Sequence, residues 1–530
     1  MRRETGGLHT AAVLLGFATF GSQILGLIRD HLLARTFGAG ETLDLYYAAF
    51  RVPDFIFIAV GSLLAVTVLV PLVVDLEDKG NDKETESFLS SMLTVFTLIL
   101  IVASFVAYFL MPWLARIVAP GFPEGLQSEL VTLSRILLLS PFFLGLSNLF
   151  GSVSQAKKRF FLYSASPILY NLGIIFGIVF LYSMFGTKGL MYGVALGSLL
   201  HFLLQYIGST EDTVLPRFTM NIDWKSVRLV VKRSLPRAVA MGVNQLSIVV
   251  LVAYASMLDK GSISVFNLAY NLQSVPMALI GVSYSVASFP RMVAHLSKKE
   301  IDNFLSCFRE VIRHIIFLSI PVIVLFIVLS KEIVTVVFGS GNFDNNATYL
   351  TGLAVAIFST SILFQSIVLI FDRSYYAAGR TFVPVITNIA GALVAVTLGY
   401  VFLRDFAGGL HGFGAILYLP LAFAIGVLVN MIFEWILFKK DFGALLVKDV
   451  QQTLWQSVVS TFFMGETMYF SLKYLNLNYE PVGVFGVFLN GLIAGVLGIL
   501  VAVLVLKLLR SSELESFLTW RKRNRPQPLP

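Results

Sequence analysis

Runs of about 20 or more apolar residues recur along the whole 530-residue chain, and no other feature limits its fold as severely. Wound as α-helix at about 1.5 Å per residue, such a run crosses the roughly 30 Å hydrocarbon layer of a bilayer. The expected spans are residues 9–33, 42–74, 87–111, 128–154, 161–184, 189–208, 228–257, 262–290, 304–329, 347–371, 382–402, 411–438, 450–473 and 481–507. They leave no room for a sizeable soluble domain, and 57% hydrophobic against 13% charged residues agrees with that. Spanning segments must satisfy their backbone polar groups internally. The expected class is therefore an all-α polytopic membrane protein of about 14 transmembrane helices.

Lys and Arg are retained on the cytoplasmic face. With the N-terminus inside, the outer loops and adjoining span ends hold one basic residue each: Arg35, Arg116, Lys188, Lys260, Lys331, Arg404 and Lys473. Apart from Arg29, Arg51 and Arg135, which lie within spans, the rest of the 39 Lys and Arg fall on the other side. The expected arrangement is multi-pass, with both termini cytoplasmic. The net charge of +8 then expresses topology and attraction to anionic lipid headgroups, and no nucleic-acid partner is expected.

Arg2-Arg3 precede an apolar run with no small-residue cleavage site, so the first span is expected to stay attached. Cys307 is the only cysteine, which excludes an intramolecular disulfide and a cysteine-based metal cluster. Among the histidines, His9, His31, His201, His295, His314 and His411 do not pair at ligand spacing. The acidic segment from Asp75 to Glu86 reads as a solvated turn, because it lacks the tight carboxylate spacing that holds magnesium between phosphates. No metal, no cofactor and no enzymatic activity are expected.

The two halves resemble one another at an offset of about 217 residues. Glu86-Ser87-Phe88-Leu89-Ser90 recurs as Asp302-Asn303-Phe304-Leu305-Ser306, Pro167 to Asn171 as Pro384 to Asn388, and Val70-Pro71 as Phe289-Pro290. Six spans per half make this a parallel repeat. The expected organisation is an N-lobe at 1–208, a cytoplasmic amphipathic linker at 209–227, a C-lobe at 228–441, and at 442–530 two extra C-terminal helices with a basic cytoplasmic tail. The linker's charges, Lys225, Arg228, Lys232 and Arg233, are spaced for an amphipathic helix on the inner surface. Pro53 and Pro276 read as paired bends.

Gly26 to Asp54 places Arg29, Asp30, Asp44, Arg51 and Asp54 in otherwise apolar segments. A charge near mid-bilayer costs roughly 2.5 to 3.5 kcal/mol, so such residues mark bundle interiors and wet paths. Arg29-Asp30, then Ala34-Arg35-x-Phe37-Gly38-Ala39-Gly40, then Asp44, with Val70-Pro71 and Ala119-Pro120-Gly121-Phe122, resembles the MurJ/MviN family, whose members flip the peptidoglycan precursor lipid II. That family sits in the multidrug/oligosaccharidyl-lipid/polysaccharide exporter superfamily.

The resemblance implies a flippase of the bacterial cytoplasmic (inner) membrane that moves a polyprenyl-diphosphate-linked sugar precursor by alternating access, for peptidoglycan and cell-wall biogenesis. It implies Arg29, Asp30, Asp44 and Arg51 as substrate-binding residues, and the extra C-terminal pair as a groove for the polyprenyl tail. Arg29, mid-motif and next to Asp30, is expected to outweigh Arg51, which lies just before the bend at Pro53. Where the family carries further charges this chain has Gln23, Phe57, Ser62, Asn271 and Ser274, a divergent pattern. Arg135 with Asn and Gln donors is one substitute for the missing arginines. Two alternatives stay open: export of another amphiphile, and a non-transporting cell-envelope scaffold. The expected partners are the lipid-linked sugar and membrane lipids, with cell-envelope synthesis proteins as further candidates, for a monomer. The seventh span has no acidic residue before Asp259, so neither sodium nor membrane-potential coupling is assigned.

Overall fold

The computed structural model describes residues 8–64, 66–78, 81–156, 160–209, 215–405, 414–443 and 447–516. Arg2-Arg3, Lys79, His411 and the basic tail Arg521-Lys522-Arg523 with Arg525 lie outside the described residues. Every regular element among the described residues is helical. In order they are α1 (Leu8–Phe37), α2 (Glu41–Ala49), α3 (Arg51–Gly61), α4 (Val66–Asp78), α5 (Asp82–Val118), α6 (Glu124–Leu137), α7 (Leu139–Ala156), α8 (Phe160–Phe176), α9 (Tyr182–Phe185) and α10 (Thr187–Ser209). There follow α11 (Trp224–Ser256), α12 (Ser262–Met277), α13 (Ser283–Ser297), α14 (Ile301–Val328), α15 (Ser330–Phe338), α16 (Asn345–Ser359), α17 (Ser361–Ala377), α18 (Phe382–Asp405), α19 (Tyr418–Phe442), α20 (Lys448–Asn478) and α21 (Gly483–Leu508).

Among the described residues, ten helical segments are long and apolar enough to cross a membrane, and α16 with α17, bent by 40°, makes an eleventh. The other three expected spans are helical but of different character. The first is α1. The second is broken into α2, α3 and α4. The thirteenth is α20, whose apolar run is diluted by Lys448, Asp449, Gln451, Gln452, Gln456, Glu466 and Lys473. Pro53 stands in the first turn of α3, where its missing N–H would have no intrahelical partner, so the break at Phe50 is cheap. Pro276 closes α12 and leads into a π-turn at Ala278–Val282.

Two compact units meet at the Ser264/Val265 bond. The first has a core in which Phe88, Met92 and Phe96 of α5, Leu149 and Val153 of α7, and Val230 of α11 are buried together. In the same unit α8 and α10 touch backbone to backbone, since a Cβ on Gly173 would lie 2.3 Å from the Gly197 Cα. The second has an aromatic core of Phe304, Phe308, Phe371 and Phe438, with a satellite of Met464, Met468 and Ala494 joining α20 to α21.

The linker differs from expectation in form. Its described part, 215–223, is not helical, and the amphipathic helix is the opening of α11, continuous with the seventh span. The coil is pinned to α5 by backbone N–H groups of Arg217, Thr219 and Asp223, which donate to Ser90 (2.9 Å), Thr94 (3.0 Å) and Ser91 (2.9 Å). Asp223 then caps α11, accepting from the N–H groups of Lys225 and Ser226, and nothing beyond it interrupts the helix. Bonding to Ser226, first through its hydroxyl, holds the Asp223 carboxyl below its ordinary value.

Candidate functional site

The family-like loop residues build a clasp within the first unit. Asp44, 4% exposed, points its carboxylate at the start of α12. It accepts from the Gly261 N–H (2.7 Å), the Ser264 N–H (2.7 Å) and the Ser264 hydroxyl (2.6 Å). A helix N-terminus has unpaired N–H groups and a partial positive charge, and a carboxylate answers both. The neighbouring glycines make room: Gly261 has φ +91° and lies where a Cβ would come within 2.4 Å of the Ala39 carbonyl oxygen. Gly121 approaches Ser256 as closely and donates to its hydroxyl at 3.2 Å. An ion pair between Glu41 and Lys260 closes the rim. Phe37-Gly38-Ala39-Gly40 and Ala119-Pro120-Gly121-Phe122 thus serve as seats for the turn between α11 and α12.

A second cluster in the same unit holds the other charges. The Arg29 Nε–H donates to Asp30 Oδ1 at 2.9 Å, a terminal nitrogen meets the same oxygen at 2.9 Å, and Nη1 donates to Asn171 Oδ1 at 3.1 Å. Asn171 is held in turn by donating to the Pro167 carbonyl at 3.1 Å and to Ser22. The Arg29 side chain keeps 21% exposure and that of Asp30 only 3%. A guanidinium has five N–H donors, so these contacts leave about two without a partner among the described residues. Tyr46, Tyr47, Tyr170 and Asp54 share the electrostatic surroundings of Arg29. The Tyr47 hydroxyl is buried with no partner among the described residues. Arg51, 8% exposed, donates from Nε to the Tyr47 carbonyl at 3.2 Å and faces Asp54.

The structure therefore brings Arg29, Asp30 and Arg51 together and engages Asp44 elsewhere. Sequence reasoning missed Asn171 and the three tyrosines as site residues. The signals were present: Asn171 ends a segment that recurs in both halves, and Tyr46-Tyr47 lie inside the charged stretch.

Arg135 has a different task. Pro112 lies inside α5 and lacks the N–H that would bond the carbonyl four residues back, that of Tyr108. The Arg135 Nε–H fills the vacancy at 3.0 Å, and its guanidinium sits 4.4 Å from the centre of the Tyr108 ring. This arginine repairs a kinked helix.

The positions that depart from the family pattern are neutral and mostly half-buried. Gln23 is on α1, and Phe57 lies on α3 beside Gly61. The Ser62 hydroxyl donates to the Ala59 carbonyl at 3.4 Å. In the second unit, the Ser274 hydroxyl donates to the carbonyl of Asn271 at 2.6 Å. Also in that unit, an apolar groove of about 330 Å³ runs between α14–α15 and α21, lined by Leu325, Leu329, Ile333, Phe488 and Gly491, with Glu332 in its wall.

Comparison with known proteins places this architecture. A sequence profile described as lipid II flippase MurJ matches residues 33–490. The chain is 26% identical over 407 residues to the lipid II flippase MurJ of Burkholderia cenocepacia, covering 74% of this chain and 78% of that one. It is 26% identical to a probable lipid II flippase MurJ of Thermotoga maritima, covering 83% and 87%. A solved lipid II flippase MurJ in an inward closed conformation superposes with a TM-score of 0.74 at 25% identity, over 97% of this chain and all of that one. An inward-facing multidrug MATE transporter shares the fold alone, with a TM-score of 0.68 at 13% identity over 80% of this chain and 95% of the other. The chain, a multi-pass membrane protein built of helices, belongs to the MurJ lipid II flippase family.

Proposed function

We propose that this protein is a transporter, not an enzyme, and that it flips lipid II or a closely similar polyprenyl-diphosphate sugar by alternating access. Membership of the family supports the substrate class, and the observation that carries the reading within this chain is the Arg29 cluster. A diphosphate needs charge-assisted donors, and arginine offers a planar fork that stays ionised when desolvated. Arg29 is oriented by Asp30 and Asn171 yet keeps N–H groups to spare, with the Tyr47 hydroxyl as an additional donor. Asp30 and Arg51 tune and balance that charge, while Asp44 supports the fold around it. The groove beside α21 suits the polyprenyl tail, because its lining is almost wholly apolar.

We read the topology as fourteen spans with both termini cytoplasmic, in two six-helix lobes followed by the α20–α21 pair. The alternation of basic residues supports this. A single cysteine placed at Lys188 or Lys473, with Cys307 replaced, should react with an impermeant reagent from outside, and one at Lys440 only after permeabilisation.

The deciding experiment is complementation. Cells depleted of their own lipid II flippase should survive on this chain and fail on Arg29→Ala at equal membrane abundance. If the unaltered chain reaches the membrane and does not rescue, lipid II is not its cargo, and the neutral Phe57 and Asn271 then favour another amphiphile.

A further inference from the structure

In the second unit α20 packs on α14 and α21 through one stripe, on which Ser457, Thr461, Met464 and Met468 are buried. The opposite side of the helix is open. There Trp455, Val459, Phe462, Glu466, Tyr469 and Lys473 follow one another at alternating steps of four and three residues, the spacing with which a helix lays a seam along a second helix. Trp455, Phe462 and Tyr469 are 66%, 61% and 54% exposed, and Glu466 and Lys473 are exposed with them. The Glu466 carboxyl has no hydrogen bond or ion pair among the described residues.

The neighbours of Glu466 set its depth. α21 is long and apolar enough to cross a membrane, and at Gly498, near its middle, a Cβ would lie 2.3 Å from Met468 Cγ and 3.1 Å from the Met464 carbonyl oxygen. Glu466 falls between those methionines in the chain. On the fourteen-span reading, on which this inference rests, it is therefore near mid-bilayer, on the side of α20 away from α14 and α21. An ionisable group at that depth is costly and usually faces a bundle interior or a wet cavity. Here it stands within an aromatic seam, and one polar residue in an apolar seam selects the partner that can answer it. We propose that this face of α20 docks a transmembrane helix of another membrane protein, one that carries Lys or Arg at mid-depth between apolar residues. A diphosphate headgroup has the wrong charge for the site. A second copy of the chain has the same orientation in the membrane, so a two-fold pairing would set Glu466 against Glu466 at one depth, while Lys473 lies about 10 Å further along the helix.

Two measurements on the purified full-length protein, in vesicles of phosphatidylcholine and phosphatidylglycerol, test this without reference to the cargo. In the first, with Cys307 replaced, a nitroxide on Glu466→Cys should collide more with dissolved oxygen than with a water-soluble nickel chelate. The opposite order puts the position in water and overturns the proposal together with the fourteen-span reading. The second uses a single-span leucine–alanine peptide with one central Arg, followed by fluorescence transfer from the protein. The parent should bind it about tenfold more tightly than Glu466→Leu does, and about tenfold more tightly than it binds the same peptide with a central Leu. Glu466→Lys should lose the Arg peptide and gain one with a central Glu, an exchange that misfolding cannot produce. Equal binding of the Arg and Leu peptides by the parent overturns the proposal and leaves the span reading standing. So does spin–spin broadening between nitroxides at 466 without peptide, which would give the face to a second copy.

Discussion

The segments Pro167–Asn171 and Pro384–Asn388 begin alike and end in opposite chemistry. In both, the asparagine donates to the proline carbonyl four residues back, at 3.1 Å in the first unit and 2.7 Å in the second. That fixes its Oδ1 as an outward acceptor. In the first unit the acceptor takes an N–H from Arg29, and in the second one from Asn430, a turn away from Glu434. Arginine cannot shed its charge in a protein, so the first site must always carry a counter-ion. In the second the nearby carboxyl, that of Glu434, is buried and accepts from the Thr387 hydroxyl at 2.9 Å. One repeated scaffold thus presents a permanent cation in one half and a buried carboxyl group in the other.

The largest expected effect separates the first unit's structural carboxylate from its functional charge. Asp44→Ala deletes three hydrogen bonds and strands the N-terminus of α12, for a cost of about 3 to 5 kcal/mol. It should appear as loss of folded protein from the membrane and a lower melting temperature, with Asp44→Asn milder. Normal abundance and stability with abolished transport would move Asp44 back into the substrate site. Next comes Arg29→Ala, which removes a charge-assisted contact of about 1.5 to 3 kcal/mol, or roughly ten- to hundredfold in apparent affinity. Arg29→Lys should be intermediate, because the charge survives and the fork does not. Arg51→Ala should cost less than Arg29→Ala in the same transport assay; the reverse order would shift the headgroup toward α3.

The asparagines probe the comparison itself. Asn171→Ala should lower apparent lipid affinity by about 1 kcal/mol, the net worth of a typical hydrogen bond, because Arg29 loses its orienting acceptor. Asn388→Ala should leave that affinity unchanged, and equal losses in both would mean that the halves share the headgroup task. The smallest effect concerns Arg135. Its replacement by Ala should destabilise the protein by about 1 kcal/mol and leave transport per folded molecule intact. In a Pro112→Ala background, where the backbone again supplies a donor to Tyr108, the penalty should shrink, as a double-mutant cycle of thermal stabilities would measure. An unchanged penalty would deny that Arg135 repairs the helix.

Most of the helices were legible because membrane thickness converts length and apolarity directly into a span. The second span was less so: its first break falls at Phe50, three residues before the proline that makes it inexpensive. Charge within an apolar run pointed to Arg29 and Asp44 alike, although one keeps exposed donors and the other is an interior cap. Sequence cannot separate them, since the partners lie 142 residues away for Arg29 and 217 for Asp44. Arg135 was misleading for a similar reason: Pro112 announces an orphan carbonyl, but only the packing of α6 on α5 shows which side chain answers it.

The span of 217 residues from Asp44 to Gly261 also sets a clock. At about 5 to 20 residues per second of synthesis, the donors that satisfy Asp44 emerge roughly 10 to 40 s after it does. Throughout that interval the carboxylate has no helix end to cap and must be kept by water or by the insertion machinery. The first half of the protein therefore reaches its final form only once the ribosome is already making the second.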